Sequence, residues 1–209
     1  MNLKSLFKLV LVNRYPLYFR VLLSRYKLYA IRKHITRAGV SAPSSVIYYG
    51  QPIVSVAEGS KIEIGENCVI CSDPAKTDLG VDHPVVMRTL RSGASIVIGR
   101  DTGISGGAIC AAVRVKIGNE CLIGANVVIA DTDFHPLNPT GRRYSRNPLE
   151  IGAEPVEIED NVFIGTGTII LKGVTIGKNS VIGAGSVVTR NVPPDSIAAG
   201  NPAKVLRSL

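Results

Sequence analysis

An aliphatic residue returns every six positions from Ile158 through Ile164, Ile170, Ile176 and Ile182 to Val188. A helix repeats near 3.6 residues and a strand at 2, so a sustained period of six belongs to neither element alone. Four places after each aliphatic residue stands a small or β-branched one: Val162, Thr168, Val174, Ser180, Ser186 and Val192. The fourth place of each hexapeptide holds Asn161, Gly167, Gly173, Asn179, Gly185 or Asn191, residue types that tolerate positive φ. One such residue in six describes a short strand, a corner, another short strand and another corner, which is a solenoid.

The same unit recurs upstream as IGENCV from Ile64, IGRDTG from Ile98, ISGGAI from Ile104, IGNECL from Ile117 and IGANVV from Ile123, with a one-residue slip around Cys110–Val115. From Ile64 to Val188 eleven hexapeptides follow the pattern; nine carry Asn or Gly in fourth place and Asp101 is a tenth compatible case. Three hexapeptides make one triangular coil, and coils stack as parallel strands about 4.8 Å apart. The expected fold is mainly β: a parallel β-helix over residues 44–192, interrupted by insertions at about 72–95 and 131–154. A basic helical segment (1–40) precedes it and a short tail (193–209), opened by Pro193-Pro194, follows. A prism has flat sides and no cleft of its own, so a pocket must come from loops or from a neighbouring subunit.

Composition agrees with a narrow aliphatic interior: aromatic residues are 5% of the chain and Trp is absent. The net charge of +8 is local, because residues 1–57 hold nine Lys/Arg and no acid while the rest is near neutral. That distribution argues against a nucleic-acid surface spread over the protein. Four cysteines and the lack of a cleavable leader pattern favour a reducing cytoplasm. Cys68 and Cys121 fall at the small inward place of their hexapeptides, so the lone CxxC of Cys68 and Cys71 reads as packing; no second pair completes a metal site.

Residues 1–37 lack Gly and suit one or two helices, with Pro16 as a break or kink. Two readings stay open for them: a cap on the end of the solenoid, or a basic amphipathic anchor on the inner face of a membrane. No charge-free run is long enough to span one.

Long loops in a compact domain are usually functional. The second insertion reads DTDFHPLNPTGRRYSRNPLEIGAE and contains His135. With that loop and the run VFIGTGTIILKGVTIGKNSVIGAGSVVTRNVPPDSIAAGNPAKVLR, the chain from about residue 45 to 209 resembles the hexapeptide-repeat acyltransferases of the left-handed β-helix class. The galactoside, maltose and polysaccharide O-acetyltransferase branch is the nearest likeness. The resemblance implies a homotrimer of left-handed prisms, acetyl-CoA as donor with no metal, and a site between subunits. It implies His135 of the DTDFHP motif as general base, with Asp131 or Asp133, or a backbone carbonyl, orienting the imidazole. It also implies CoA contacts from Thr166, Ala184, Thr189 and Arg190, and phosphate contacts from Lys204 and Arg207. Chemistry concurs on the residue type, since taking a proton from a hydroxyl near neutral pH favours His.

The acceptor side departs from the sugar acetyltransferases: their polar residue in an early coil has no clear match in GISGGAICA. Ser105 is the substitute candidate, and His83 and Arg88 of the first insertion could face the acceptor too. The run Arg142-Arg143-Tyr144-Ser145-Arg146 suits a phosphate or carboxylate. A free, nucleotide-linked or lipid-linked saccharide is the acceptor class expected. The rivals are a non-catalytic structural or binding solenoid, and an acyltransferase with an amine acceptor.

Overall fold

The computed structural model describes residues 16–145 and 147–209. Its body is a three-sided parallel β-helix. The first face stacks Val40–Ser41, Lys61–Ile64, Ser95–Ile98, Arg114–Ile117, Val156–Ile158 and Thr175–Ile176. The second face stacks Ile47–Tyr49, Val69–Cys71, Gly103–Ser105, Leu122–Ile123, Phe163–Ile164 and Val181–Ile182, then two terminal strands. The third face stacks Ile53–Ser55, Val86–Thr89, Ala108–Ala111, Val128–Ala130, Ile169–Ile170 and Val187–Val188.

The six-residue period sets the register. Ile123, Ile164 and Ile182 pair in line on the second face, and Ile129, Ile170 and Val188 do so on the third. All point inward and are nearly or fully buried. Each such side chain contributes about 1.5–3 kcal/mol by leaving water. Corners take positive φ at Asn67, Asp101, Asn126, Asn161 and Asn179, and also at Glu120, a residue type that gives no such signal. Asn191 departs from the pattern: it is outside the positive-φ set, and its side-chain oxygen accepts from the Thr175 amide at 2.8 Å. Coils stack so closely at the corners that a Cβ on Gly165 would lie 2.5 Å from the Ala184 nitrogen.

Three boundaries differ from expectation. The strand Val86–Thr89 falls inside the stretch expected as the first insertion, with Met87 and Thr89 buried. Its alternation was hidden by the polar residues Arg88 and Arg91 around it. The solenoid begins earlier, since Val40–Ser41 already pairs with Lys61–Ile64. Pro193-Pro194 ends the coiling but not the sheet: Ser196–Gly200 adds in parallel to Val181–Ile182, and Ala203–Ser208 folds back antiparallel on it. The tail is a hairpin.

A helix spans Pro16–Arg37, with proline in its first turn, where a missing amide costs nothing. Residues 1–15, part of the expected helical segment, lie outside the described residues. Among the described side chains, Leu28, Ile31 and Ile35 of the helix join the core, while the Arg32 guanidinium donates to the carbonyls of Ser44 and Val46.

The three faces differ chemically. Lys61, Glu63, Arg114, Lys116 and Glu157 point out from the first, and Lys116 meets Glu157 at 2.7 Å. That contact holds the Glu157 carboxyl below the usual carboxylate range. The second and third faces instead expose Ile47, Leu122, Phe163, Ile53 and Ile169.

Candidate active site

The second insertion leaves the prism at the edge between the third and first faces, between the strands ending at Ala130 and beginning at Val156. Its neck is closed by a bridge between Thr132 and Ala153, and by the Asp133 amide donating to the Gly152 carbonyl at 3.0 Å. Phe134 then takes φ 61°. A bulky residue there costs about 1–3 kcal/mol and persists only when its surroundings dictate it. They do: the Phe134 amide donates to Thr132 Oγ1, the His135 amide donates to the Asp133 carbonyl at 2.7 Å, and Pro136 is buried. The turn thus leaves the His135 side chain exposed, and among the described residues its imidazole makes no hydrogen bond.

Asp131 has a different task from the one expected. It is fully buried, and its carboxylate accepts from the amides of Ala112, Val113 and Arg114 at 2.6, 2.7 and 2.7 Å. Both oxygens accept from the preceding corner, so Asp131 holds the platform. Asp133 accepts from Lys172 Nζ at 2.9 Å, and its other oxygen is buried without a partner. Lys172 escaped the reading of the sequence. The register that pairs Ile129 with Ile170 stacks Lys172 beside the insertion's point of departure. A cation at that corner of an otherwise plain hexapeptide was the available signal.

The other named residues fall into groups. Thr166 and Ala184 sit one above the other on the edge between the second and third faces, and Thr166 Oγ1 donates to the Ala125 carbonyl at 2.7 Å. The first insertion shares this edge: Asp82 and Asn126 exchange two hydrogen bonds, and exposed His83 has Nδ1 2.8 Å from the Pro84 carbonyl. Ser105 is half-buried in the strand leading to the same corner. Thr189 and Arg190 lie across the third face, on the edge that carries Lys172 and the His135 loop. Arg88 projects from the third face beside Cys110. Lys204 and Arg207 are exposed on the terminal strand. Arg142 and Arg143 are exposed in the insertion, Arg142 donating to the Leu137 carbonyl; Arg146 is outside the described residues. One chain therefore spreads these groups over two edges, the third face and the terminal strand.

A covalent route through Cys68, Cys110 or Cys121 is disfavoured. Burial pushes the Cys110 thiol above its usual range, with nearby Arg88 opposing and Asp131 adding to the shift. Cys68 and Cys121 are raised chiefly by burial as well. Protonated thiols are poor nucleophiles.

The bacterial transferase hexapeptide (six repeats) model matches residues 155–190, and the hexapeptide repeat of succinyl-transferase matches 114–130. A galactoside O-acetyltransferase of Lactococcus lactis is 36% identical over 151 residues, 70% of this chain and 63% of that one. A putative acetyltransferase of Schizosaccharomyces pombe is 47% identical over 95 residues, 46% of this chain and 44% of that one. Among solved structures, a hexapeptide-repeat containing acetyltransferase from Vibrio cholerae is 26% identical with a TM-score of 0.50, over 87% of this chain and 92% of that one. The chain spans about half the length of the curated relatives it matches.

Proposed function

From a chain that belongs to the hexapeptide-repeat, left-handed β-helix transferases, we propose an acetyl-CoA-dependent O-acetyltransferase acting on a saccharide hydroxyl. The observation that carries this reading is the exposed His135, presented by a strained and tightly anchored turn where the repeat is interrupted. A surface-polysaccharide precursor fits the acceptor class. The galactoside O-acetyltransferase relative supports a sugar, and the arginines of the insertion suit an anionic one.

In this reading His135 takes the proton of the acceptor hydroxyl, and the oxygen attacks the thioester carbonyl. The tetrahedral intermediate expels the CoA thiolate, which receives the proton from the imidazolium. The products are an acetyl ester and free CoA, and no metal is needed. Donors facing the developing oxyanion would supply the remaining stabilisation. Thr166 and Ala184 form one wall for CoA, Thr189 and Arg190 another, and Lys204 and Arg207 meet its phosphates. Ser105, His83, Arg88, Arg142 and Arg143 are the acceptor-side candidates.

The His135 loop and the Thr166–Ala184 wall occupy different edges of one prism, which favours a site completed by a second copy. If the His135 edge of one chain faces the Thr166 edge of the next, repetition by rotation closes a ring. Two apolar faces and one charged face suit a homotrimer with the charged face outward. The four free cysteines suit a reducing cytoplasm.

The test is thiol release from acetyl-CoA against a panel of galactosides, maltose, nucleotide sugars and amino sugars. Acceptor-dependent release with hydroxyl sugars is expected. Release only with the amine-bearing sugars would move the activity to N-acetylation. No release, together with no CoA binding by calorimetry, would leave a non-catalytic solenoid.

A further inference from the structure

Among the described side chains, the helix Pro16–Arg37 packs on the solenoid core through Leu28, Ile31 and Ile35, while residues 21–27 are exposed. Tyr26 is 68% exposed, Tyr29 60%, Val21 48%, Leu22 46% and Leu23 38%. Around them stand Arg25, Lys27 and Lys33, all exposed, and the helix contains no acidic residue. Beside it, an open groove of about 690 Å³ separates the helix from the first coil; Arg25, Lys27 and Lys76 are among its lining residues.

We propose that this helix, with the basic groove beside it, docks the protein on an anionic phospholipid surface. The geometry of the apolar residues favours lipid over a protein partner. Val21, Leu22 and Leu23 are consecutive, so they point about 100° apart and spread over about 200° of the helix circumference, wider than one stripe. A protein groove covers one stripe; a fluid interface can surround a whole helix end. Tyr26 and Tyr29 are of the type that settles at the headgroup level. A second copy of the helix is a poor occupant, because unbalanced like charges would repel across the contact.

Charge complementarity names the headgroup. Clusters of four to eight Lys or Arg on a helix are attracted to anionic leaflets, and such residues keep their charges at the interface while their stems lie in it. Upstream, residues 1–15 repeat the composition, with Leu3, Leu6, Phe7, Leu9, Leu11, Lys4, Lys8 and Arg14. No helix among the described residues is long and apolar enough to cross a membrane. Such docking places the protein where a membrane-bound substrate would be met, but does not depend on the acetyl-transfer reading.

Flotation of the full chain with vesicles tests it. One set is phosphatidylcholine alone and the other phosphatidylcholine with about a third phosphatidylglycerol. The wild type should float with the anionic vesicles, about tenfold less with the neutral ones, and be released by high salt. The double variant R25E/K27E should lose about tenfold of the anionic binding at unchanged far-UV circular dichroism. A wild type that stays at the bottom with anionic vesicles overturns the proposal, as does equal flotation of the wild type with both vesicle sets, or equal flotation of wild type and R25E/K27E. In L22S/L23S, light scattering should give an unchanged mass. A smaller assembly would mean that a second copy covers these residues, and would also overturn it.

Discussion

Replacing His135 with Ala should lower turnover by about 10²–10⁴-fold, the range a positioned general base supplies. The Michaelis constant for acetyl-CoA should hardly move, because His135 is read as acting on the acceptor hydroxyl and not on the donor's remote contacts. Thermal stability should also be unchanged, since the side chain is exposed and unbonded among the described residues. This separation of effects is what distinguishes a base from a structural residue. A His135→Ala variant with wild-type turnover would remove the proposed mechanism. A variant that loses activity together with its melting transition would say only that the loop had collapsed.

Asp131 should behave in the opposite way. Replacing it with Ala strands the amides of Ala112, Val113 and Arg114 in a buried corner. Losing a buried carboxylate that satisfies several donors should cost about 3–5 kcal/mol. For a chain of this size that is a drop in melting temperature of roughly 6–20 °C, read by calorimetry. Asp131→Asn keeps one acceptor oxygen and should fall between the two. Whatever activity is lost should follow the melting curve and recover at low temperature. An Asp131→Ala protein of normal stability but no turnover would mean that the carboxylate acts on the imidazole, contrary to its hydrogen bonds.

The contrast between Asp131 and His135 shows what a sequence can carry. The coils were legible because burial is periodic: a residue's place in the hexapeptide decides whether it faces in, and Ile158 through Val188 all do. The insertion around His135 was legible as a break in that beat. The strand Val86–Thr89 was not, because an outward arginine within a four-residue strand, with another just after it, disturbs a pattern read in windows of six. The tasks of Asp131 and Lys172 were not legible either. Asp131 reaches back to residues 112–114 and Lys172 reaches back from the next coil to Asp133, and such pairings depend on which coil stacks on which. Register supplies them once the insertion lengths are known; the resemblance alone offered Asp131 or Asp133, or a backbone carbonyl, as the partner of His135.

The two-edge distribution of the candidate residues makes the shared site the central claim, and subunit mixing tests it most directly. Chains carrying His135→Ala and chains carrying Ala184→Trp should each assemble and each transfer little acetyl. Ala184 is exposed on its corner, so the indole would block the wall without disturbing the core. Unfolded and refolded together in equal amounts, the two chains should regain about a quarter of the wild-type acetyl transfer. That is the share of interfaces in which an intact His135 edge meets an intact Ala184 edge. A mixture no more active than its parents, with mixed assemblies confirmed by native mass spectrometry, would contradict a site shared between neighbouring subunits.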